Sequence, residues 1–193
     1  MTVAIKPLTP ERLDDFFHFF DQVAFTDNPA WSSCYCFYYH IACGEAEWAK
    51  RAGWENREKA RDWILSGKMG GYLAYLDKSP VGWCNANDRR NYARLAADKG
   101  LGDDAEEKVG SIVCFIIEPQ SRRRGIAKGL LEEACAGFER DGYIDAEAYP
   151  RKGAASDAQH YQGPLSMYLK AGFTVHRKFP EFLIVRKRLE LKK

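Results

Sequence analysis

Between Ser111 and Leu131 the chain reads SIVCFIIEPQSRRRGIAKGLL, and this order of residue types makes an anion site. A run of apolar and β-branched residues stops at Pro119, an arginine-rich turn follows, and Gly125-Ile126-Ala127 opens a stretch with helical periodicity. The first N–H groups of a helix have no intrahelical partners and carry partial positive charge. Small residues at Gly125 and Ala127 let a phosphate approach that backbone closely. Arg122, Arg123 and Arg124 add charge where a pyrophosphate needs it, and Ile126 and Lys128 complete the candidate binding set. The alternative is a solvated basic turn at the start of an ordinary helix.

Arg122-Arg123-Arg124-Gly125-Ile126-Ala127 resembles the Arg/Gln-x-x-Gly-x-Gly/Ala signature of the GNAT acetyltransferase superfamily. A second stretch, Leu165-Ser166-Met167-Tyr168-Leu169-Lys170-Ala171-Gly172-Phe173, resembles the family's closing helix and turn, Tyr-x-x-x-Gly-Phe. The two motifs sit within Ser111–Val175. The resemblance implies an α/β protein with the GNAT fold, a mixed, mostly antiparallel central sheet with splayed parallel strands, flanked by helices. It implies acetyl-CoA as cosubstrate, with its pyrophosphate on the arginine-glycine turn. It also implies that the backbone of Phe115, Ile116 and Ile117 meets the pantetheine arm.

Acetyl transfer to an amine makes three demands: the amine loses its proton, the tetrahedral oxyanion is stabilised, and the coenzyme thiolate leaves with a proton. Tyr168 stands where many family members carry the tyrosine that protonates the thiolate, and is the candidate acid. Its alternative is a buried tyrosine whose hydroxyl bonds locally. The motif departs from the family upstream, where Tyr161 and Pro164 replace the usual Asn and Ala. Glu147, on the strand after the signature helix, is the first candidate base, since some family members carry a glutamate base there. Partial burial of a carboxylate raises its pKa toward neutrality; the alternative is a plain exposed glutamate. Glu118, at the end of the signature strand, is the second candidate. The family motif places no cysteine where an acyl-enzyme would form, so direct transfer in a ternary complex is expected. The alternative is a non-catalytic acyl-CoA sensor on the same fold.

Trp31–Cys43, WSSCYCFYYHIAC, is dense in aromatics and soft ligands. Cys34, Cys36, His40 and Cys43 are the right residue types for zinc, but Cys-x-Cys-x3-His-x2-Cys is no usual paired-knuckle spacing, so no metal is expected. In the family the region after the first helix commonly helps form the acceptor site. Trp31, Tyr35, Phe37, Tyr38, Tyr39 and His40 are then an aromatic wall able to hold a cationic amine face-on. The alternative is core beneath a loop. His160 and His176 receive no role.

The sequence has 193 residues with 46% hydrophobic and 29% charged content, which fits one globular domain with a substantial core. Residues 1–108 are read as an N-terminal half carrying the acceptor segment 27–43, and residues 109–193 as the coenzyme half. A net charge of +2 is too small to argue for nucleic acid. No apolar run reaches spanning length and the N-terminus lacks a leader pattern, so a cytoplasmic protein with six reduced cysteines is expected. The expected partners are acetyl-CoA and an amine-bearing acceptor, a small molecule by preference. The final strands are a candidate homodimer surface.

The elements that must position these residues follow from periodicity and punctuation. Val3–Leu8 reads as a strand. Thr9 caps a helix with Pro10 at its first position and Leu13, Phe16, Phe17 and Phe20 on one face. Asp27-Asn28-Pro29 breaks it. A second helix lies within Gly44–Ser66, with Trp48, Ile64 and Leu65 apolar. Tyr72–Leu76 and Val81–Asn85 form a hairpin about Asp77-Lys78-Ser79-Pro80. Arg89–Lys108 reads as a surface excursion. Then come the strand Val109–Glu118, the helix Ile126–Asp141 ended by Gly142, the strand Ile144–Tyr149, a loop over Arg151–Gly163, the helix Leu165–Lys170, and strands Phe173–His176 and Phe182–Leu189. The order β-α-α-β-β-β-α-β-α-β-β is that of the GNAT fold.

Overall fold

A computed structural model describes residues 3–97 and 108–190. The chain opens with β1 (Val3–Pro7) and a single 3-10 turn at Pro10–Arg12 that runs into α1 (Leu13–His18). Thr9 is extended but its side chain does not cap; its hydroxyl accepts instead from Arg12 Nη1 at 3.0 Å. After His18 the helix widens into a π turn over Phe19–Val23, closed by Ala24 N donating to Phe19 O. The widening turns Phe16, Phe17, Phe19 and Phe20 all inward, more aromatic surface than one face of a regular helix accommodates.

The expected second helix is two, α2 (Glu45–Trp48) and α3 (Gly53–Leu65), in which Ile64 is buried and Leu65 half exposed. The hairpin is β2 (Gly71–Leu76) and β3 (Ser79–Asp88). Its turn is only Asp77-Lys78, both left-handed, the two-residue geometry that matches strand twist; Pro80 already pairs with Tyr75. The expected surface excursion begins instead with a 3-10 turn (Arg89–Asn91) and α4 (Ala93–Ala97), with Tyr92 between them and Leu95 in α4 both buried; residues 98–107 lie outside the described residues. Then follow β4 (Val109–Ile117), α5 (Ile126–Arg140), β5 (Asp145–Ala148), α6 (Leu165–Lys170), β6 (Thr174–Lys178) and β7 (Leu183–Arg188).

The strands form one sheet in the order β1-β2-β3-β4-β5-β7-β6, in which β4 and β5 are the parallel pair. α1 and the aromatic segments cover one face; α5 and Tyr168 of α6 cover the other. α5 lies so close to the sheet that a Cβ on Gly110 would stand 2.5 Å from the Phe138 ring. The site is set up by a single bulge. Asn85 pairs with Cys114 but Ala86 with Ile112, so Val113 is an extra residue in β4. The bulge sends both Val113 and Cys114 to the α1 face. It also falls where the β4–β5 ladder, Val109–Ile112 against Asp145–Ala148, stops and the strands part.

Candidate active site

The gap beyond the parallel pair opens into a cleft of about 400 Å³. One wall is Phe115, Ile116 and Ile117; its floor is the turn before α5, with Arg122, Arg123, Gly125, Ile126, Ala127 and Lys128. Phe115 N points into the gap and donates to Tyr161 O at 2.5 Å. Ile117 O also faces the gap and accepts from Arg122 Nε at 3.2 Å. Ile116 differs from expectation. Glu118 N bonds Val81 O on the β3 side, and strand alternation turns the Ile116 amide the same way. Ile116 offers the cleft its side chain, not its backbone.

Gly125 has φ +80, and a Cβ built on it meets nothing within 4 Å. The first helical bond of α5 runs from Gly129 N to Gly125 O, so the N–H groups of Ile126, Ala127 and Lys128 precede the intrahelical ladder. Open space above a left-handed glycine, at the positive end of a four-turn helix, fits a phosphate-bearing group. The three arginines diverge. Arg122 grips Asp27 with both terminal nitrogens, at 2.5 and 3.1 Å, and lies 3.6 Å from Asp157. That hydrogen bond holds the Asp27 carboxyl below its ordinary range. Arg122 thus anchors the turn to the Asp27 segment. Arg123, left-handed at φ +61, lines the cleft, whereas Arg124 is exposed and does not.

A second cavity of about 420 Å³ adjoins the cleft, and Phe25, Trp31, Ile116 and Tyr161 line both. Trp31, Tyr38 and Tyr39 of the expected aromatic wall line it. Tyr35, Phe37 and His40 do not. The Tyr35 hydroxyl donates to Asp21 Oδ1 at 2.7 Å, and burial beside that carboxylate pushes it up to about 12. Phe37 is core, packed on Trp63. His40 is buried, and burial drives its pKa down to about 4. Tyr38 lines the cavity but its ring is already covered by the Arg94 guanidinium at 3.7 Å, and its hydroxyl bonds Glu45. One face of its ring is therefore already taken by a cation. Residues from both halves of the chain line both spaces: Asp27 and Trp31 line the cleft, while Cys114, Arg151 and Tyr161 line the cavity.

The expected catalytic groups are placed elsewhere. Glu147 is 1% exposed and lines neither space. Its carboxylate is held by Arg186 Nε at 2.5 Å, by the Tyr149 hydroxyl at 2.6 Å and by Arg89 at 3.9 Å. A carboxylate enclosed by two guanidiniums is an ion-pair centre, not a base. Glu118 accepts from Ser121 Oγ at 2.5 Å and locks the turn after β4. Tyr168 is fully buried; its hydroxyl donates to Gln162 O at 2.6 Å, and its ring packs on Phe173. It braces the cleft wall from behind Gly163, so its hydroxyl bonds locally.

Tyr161 is the residue the motifs did not point to. Its carbonyl takes the Phe115 amide, its ring stands edge-on to Trp31, and its hydroxyl lies 3.3 Å from that of Tyr39. Burial pushes its pKa up. The available signal was its place seven residues before Tyr168, where the family usually has Asn. Among the described residues no group of three or more His, Cys, Asp or Glu could hold a metal ion, and no helix is long and apolar enough to cross a membrane.

Several known proteins share this architecture. The PaiA N-acetyltransferase of Thermoplasma acidophilum, solved with coenzyme A, superposes with a TM-score of 0.58 at 16% identity, over 97% of this chain and 99% of that one. An N-acetyltransferase of Staphylococcus aureus Mu50 gives 0.59 at 13% identity, over 98% and 100%. The NatC complex bound to Gag peptide and coenzyme A gives 0.57 at 16%, over 98% and 100%. At these identities the likeness is one of fold. Among curated protein sequences none matches. Residues 27–161, running from the aspartate that Arg122 grips to the tyrosine at the junction of cleft and cavity, match the sequence model of the acetyltransferase (GNAT) family, and the chain belongs to that family.

Proposed function

We propose that this protein is an acetyl-CoA-dependent N-acetyltransferase that passes the acetyl group directly to an amine held in the aromatic cavity. The observation that carries this reading is the shared wall. Phe25, Trp31, Ile116 and Tyr161 line cleft and cavity together, so a donor along β4 and an acceptor beside Tyr39 come within reach of each other at Tyr161. Ile126, Ala127 and Lys128 hold the pyrophosphate through their N–H groups, with Arg123 beside them. Phe115 and Ile117 offer the strand edge to the pantetheine arm. The coenzyme supplies the activated acetyl thioester. The cavity rim carries Glu45 and Arg151, which suits a small polar amine.

Titration of acetyl-CoA into the protein is expected to give micromolar binding. Gly125→Glu is expected to weaken it about tenfold or more, because a carboxylate then meets phosphate at a helix N-terminus. Calorimetry on both proteins checks this, and equal affinities would remove the phosphate site.

Tyr161 is assigned the proton that the departing thiolate needs. Tyr161 lines both spaces, its hydroxyl lies 3.3 Å from that of Tyr39, and burial pushes its pKa up, so it carries its proton at neutral pH. Tyr161→Phe is expected to lower kcat by roughly a hundredfold with little change in acetyl-CoA affinity. Tyr168→Phe, which removes only a buried bond to a carbonyl, is expected to cost about 1–2 kcal/mol of stability with kcat retained. Steady-state kinetics and urea unfolding on the pair separate the roles; the reverse outcome returns the acid to Tyr168.

A further inference from the structure

The transfer chemistry uses none of the six thiols, and three of them line the aromatic cavity: Cys34, Cys36 and Cys114. Cys36 has an unusual backbone. It stands at φ +53, directly after Tyr35 at φ +43. Two consecutive non-glycine residues in the left-handed region persist only where their surroundings hold them. Here the holding group is Asn85 of β3, whose Nδ2 donates to Cys36 O at 3.0 Å and lies 3.3 Å from Cys36 Sγ. Asn85 is also the register partner of Cys114, next to the β4 bulge. The same local geometry therefore gathers Cys36 and Cys114 about the Asn85 side chain, in one core cluster on the α1 face.

The two thiols are chemically unequal. Burial pushes the Cys36 thiol up, but the Cys114 thiol, the Trp83 indole N–H and the Asn85 amide together bring it below the ordinary thiol range. Among the described residues Trp83 Nε1 is buried and completes no well-formed hydrogen bond. Cys114 is pushed far up by its bond to Cys36 and by burial. Burial and the neighbouring Cys36 sulfur push Cys34 up to about 12. An activated sulfur beside a protonated one, both on a cavity wall, is the arrangement that thiol–disulfide exchange requires.

We propose that Cys36 and Cys114 form a thiol–disulfide exchange site, entered from the aromatic cavity, whose co-reactant is a low-molecular-weight disulfide. Cys36 sulfur attacks one sulfur of the incoming disulfide, forming a mixed disulfide and expelling one thiolate. Cys114 sulfur then attacks Cys36 sulfur; its proton and the departing pair of electrons leave with the second small thiol. The two protein thiols are oxidised to one disulfide, and the small disulfide is reduced to two thiols. Cys34 is excluded as the second partner by its separation of only two residues from Cys36.

The test is incubation of reduced protein with glutathione disulfide, followed by alkylation and peptide mapping by mass spectrometry. The expected result is a Cys36–Cys114 linked peptide, with two of the six thiols lost and restored by a dithiol reductant. Cys114→Ser should accumulate glutathione on Cys36 without the link, and Cys43→Ser should behave as the parent protein. Six thiols that remain free in folded protein, or a link or adduct confined to other cysteines, would overturn the proposal. Its readout is covalent, so it stands or falls apart from the transferase reading. Loss of acetyl transfer on oxidation, which rests on that reading, is a separate measurement.

Discussion

Replacing Glu147 with glutamine is expected to cost about 3–5 kcal/mol of stability and to leave the turnover of the folded molecules unchanged. The carboxylate lies between β4 and β7, with side chains of Arg186 and Arg89 that are only 13% and 11% exposed. Tyr149 links it to Ser111: its hydroxyl donates to Glu147 Oε1 at 2.6 Å and sits 2.9 Å from Ser111 Oγ. Glutamine fills the same volume but carries no charge, so the ion pairs that Glu147 makes with two largely buried guanidiniums are broken, and breaking a buried pair from one side is costly. The pair also ties β5 to β7, whose register sets Glu147 opposite Arg186. Urea unfolding of parent and variant gives the stability difference, and kcat below the unfolding transition gives the chemistry. A second substitution, Arg186→Met, should recover part of the loss. A variant of parental stability with abolished turnover would instead make Glu147 the base.

Glu147 also shows what the sequence hides. Nothing around DAEAY reveals that Arg89 and Arg186 converge on it; both come from elements distant in sequence and adjacent only once the sheet order is built. The same limit covers Arg122, whose partner Asp27 lies 95 residues away. Local signals fared better. The strand, turn and helix from Val109 to Arg140 were legible because apolar run, proline, glycine and helical periodicity all act within a few residues. Leu165–Lys170 was legible for the same reason. The aromatic segment resisted because it has no periodicity of its own. Its two left-handed residues are fixed from outside by Asn85, so Phe37 and His40 turn into the core while Tyr38 and Tyr39 turn to the cavity. Composition marked that segment as aromatic but could not say which rings line a cavity and which enter the core.

The same network makes stability depend on pH through His40. Its Nδ1 lies 3.1 Å from the Asn91 carbonyl, which can only accept, so Nδ1 carries the proton and Nε2 is the acceptor. Asn85 Nδ2, 3.3 Å away, donates to it, while Asn85 Oδ1 accepts from the Tyr92 hydroxyl at 2.8 Å. Every polar atom in this buried cluster is matched only if the imidazole is neutral. A second proton on the ring would face the Asn85 amide N–H and be taken out of water together with its charge. Burial accordingly holds the folded pKa at about 4, against 6.5 for an ordinary histidine. The unfolded chain takes up this proton first as the pH falls. The stabilisation is therefore fully present above about 6.5, declines as the pH drops toward 4, and reaches about 3 kcal/mol in total at about 1.4 kcal/mol per pKa unit. Urea unfolding of the parent and of His40→Gln at a series of pH values isolates the contribution. Groups common to both proteins cancel in the difference, which is expected to shrink steadily from neutral pH to pH 4. A difference that stays constant across that range would mean that His40 titrates alike in the folded and unfolded chains, and that Asn85 is not oriented as the network requires.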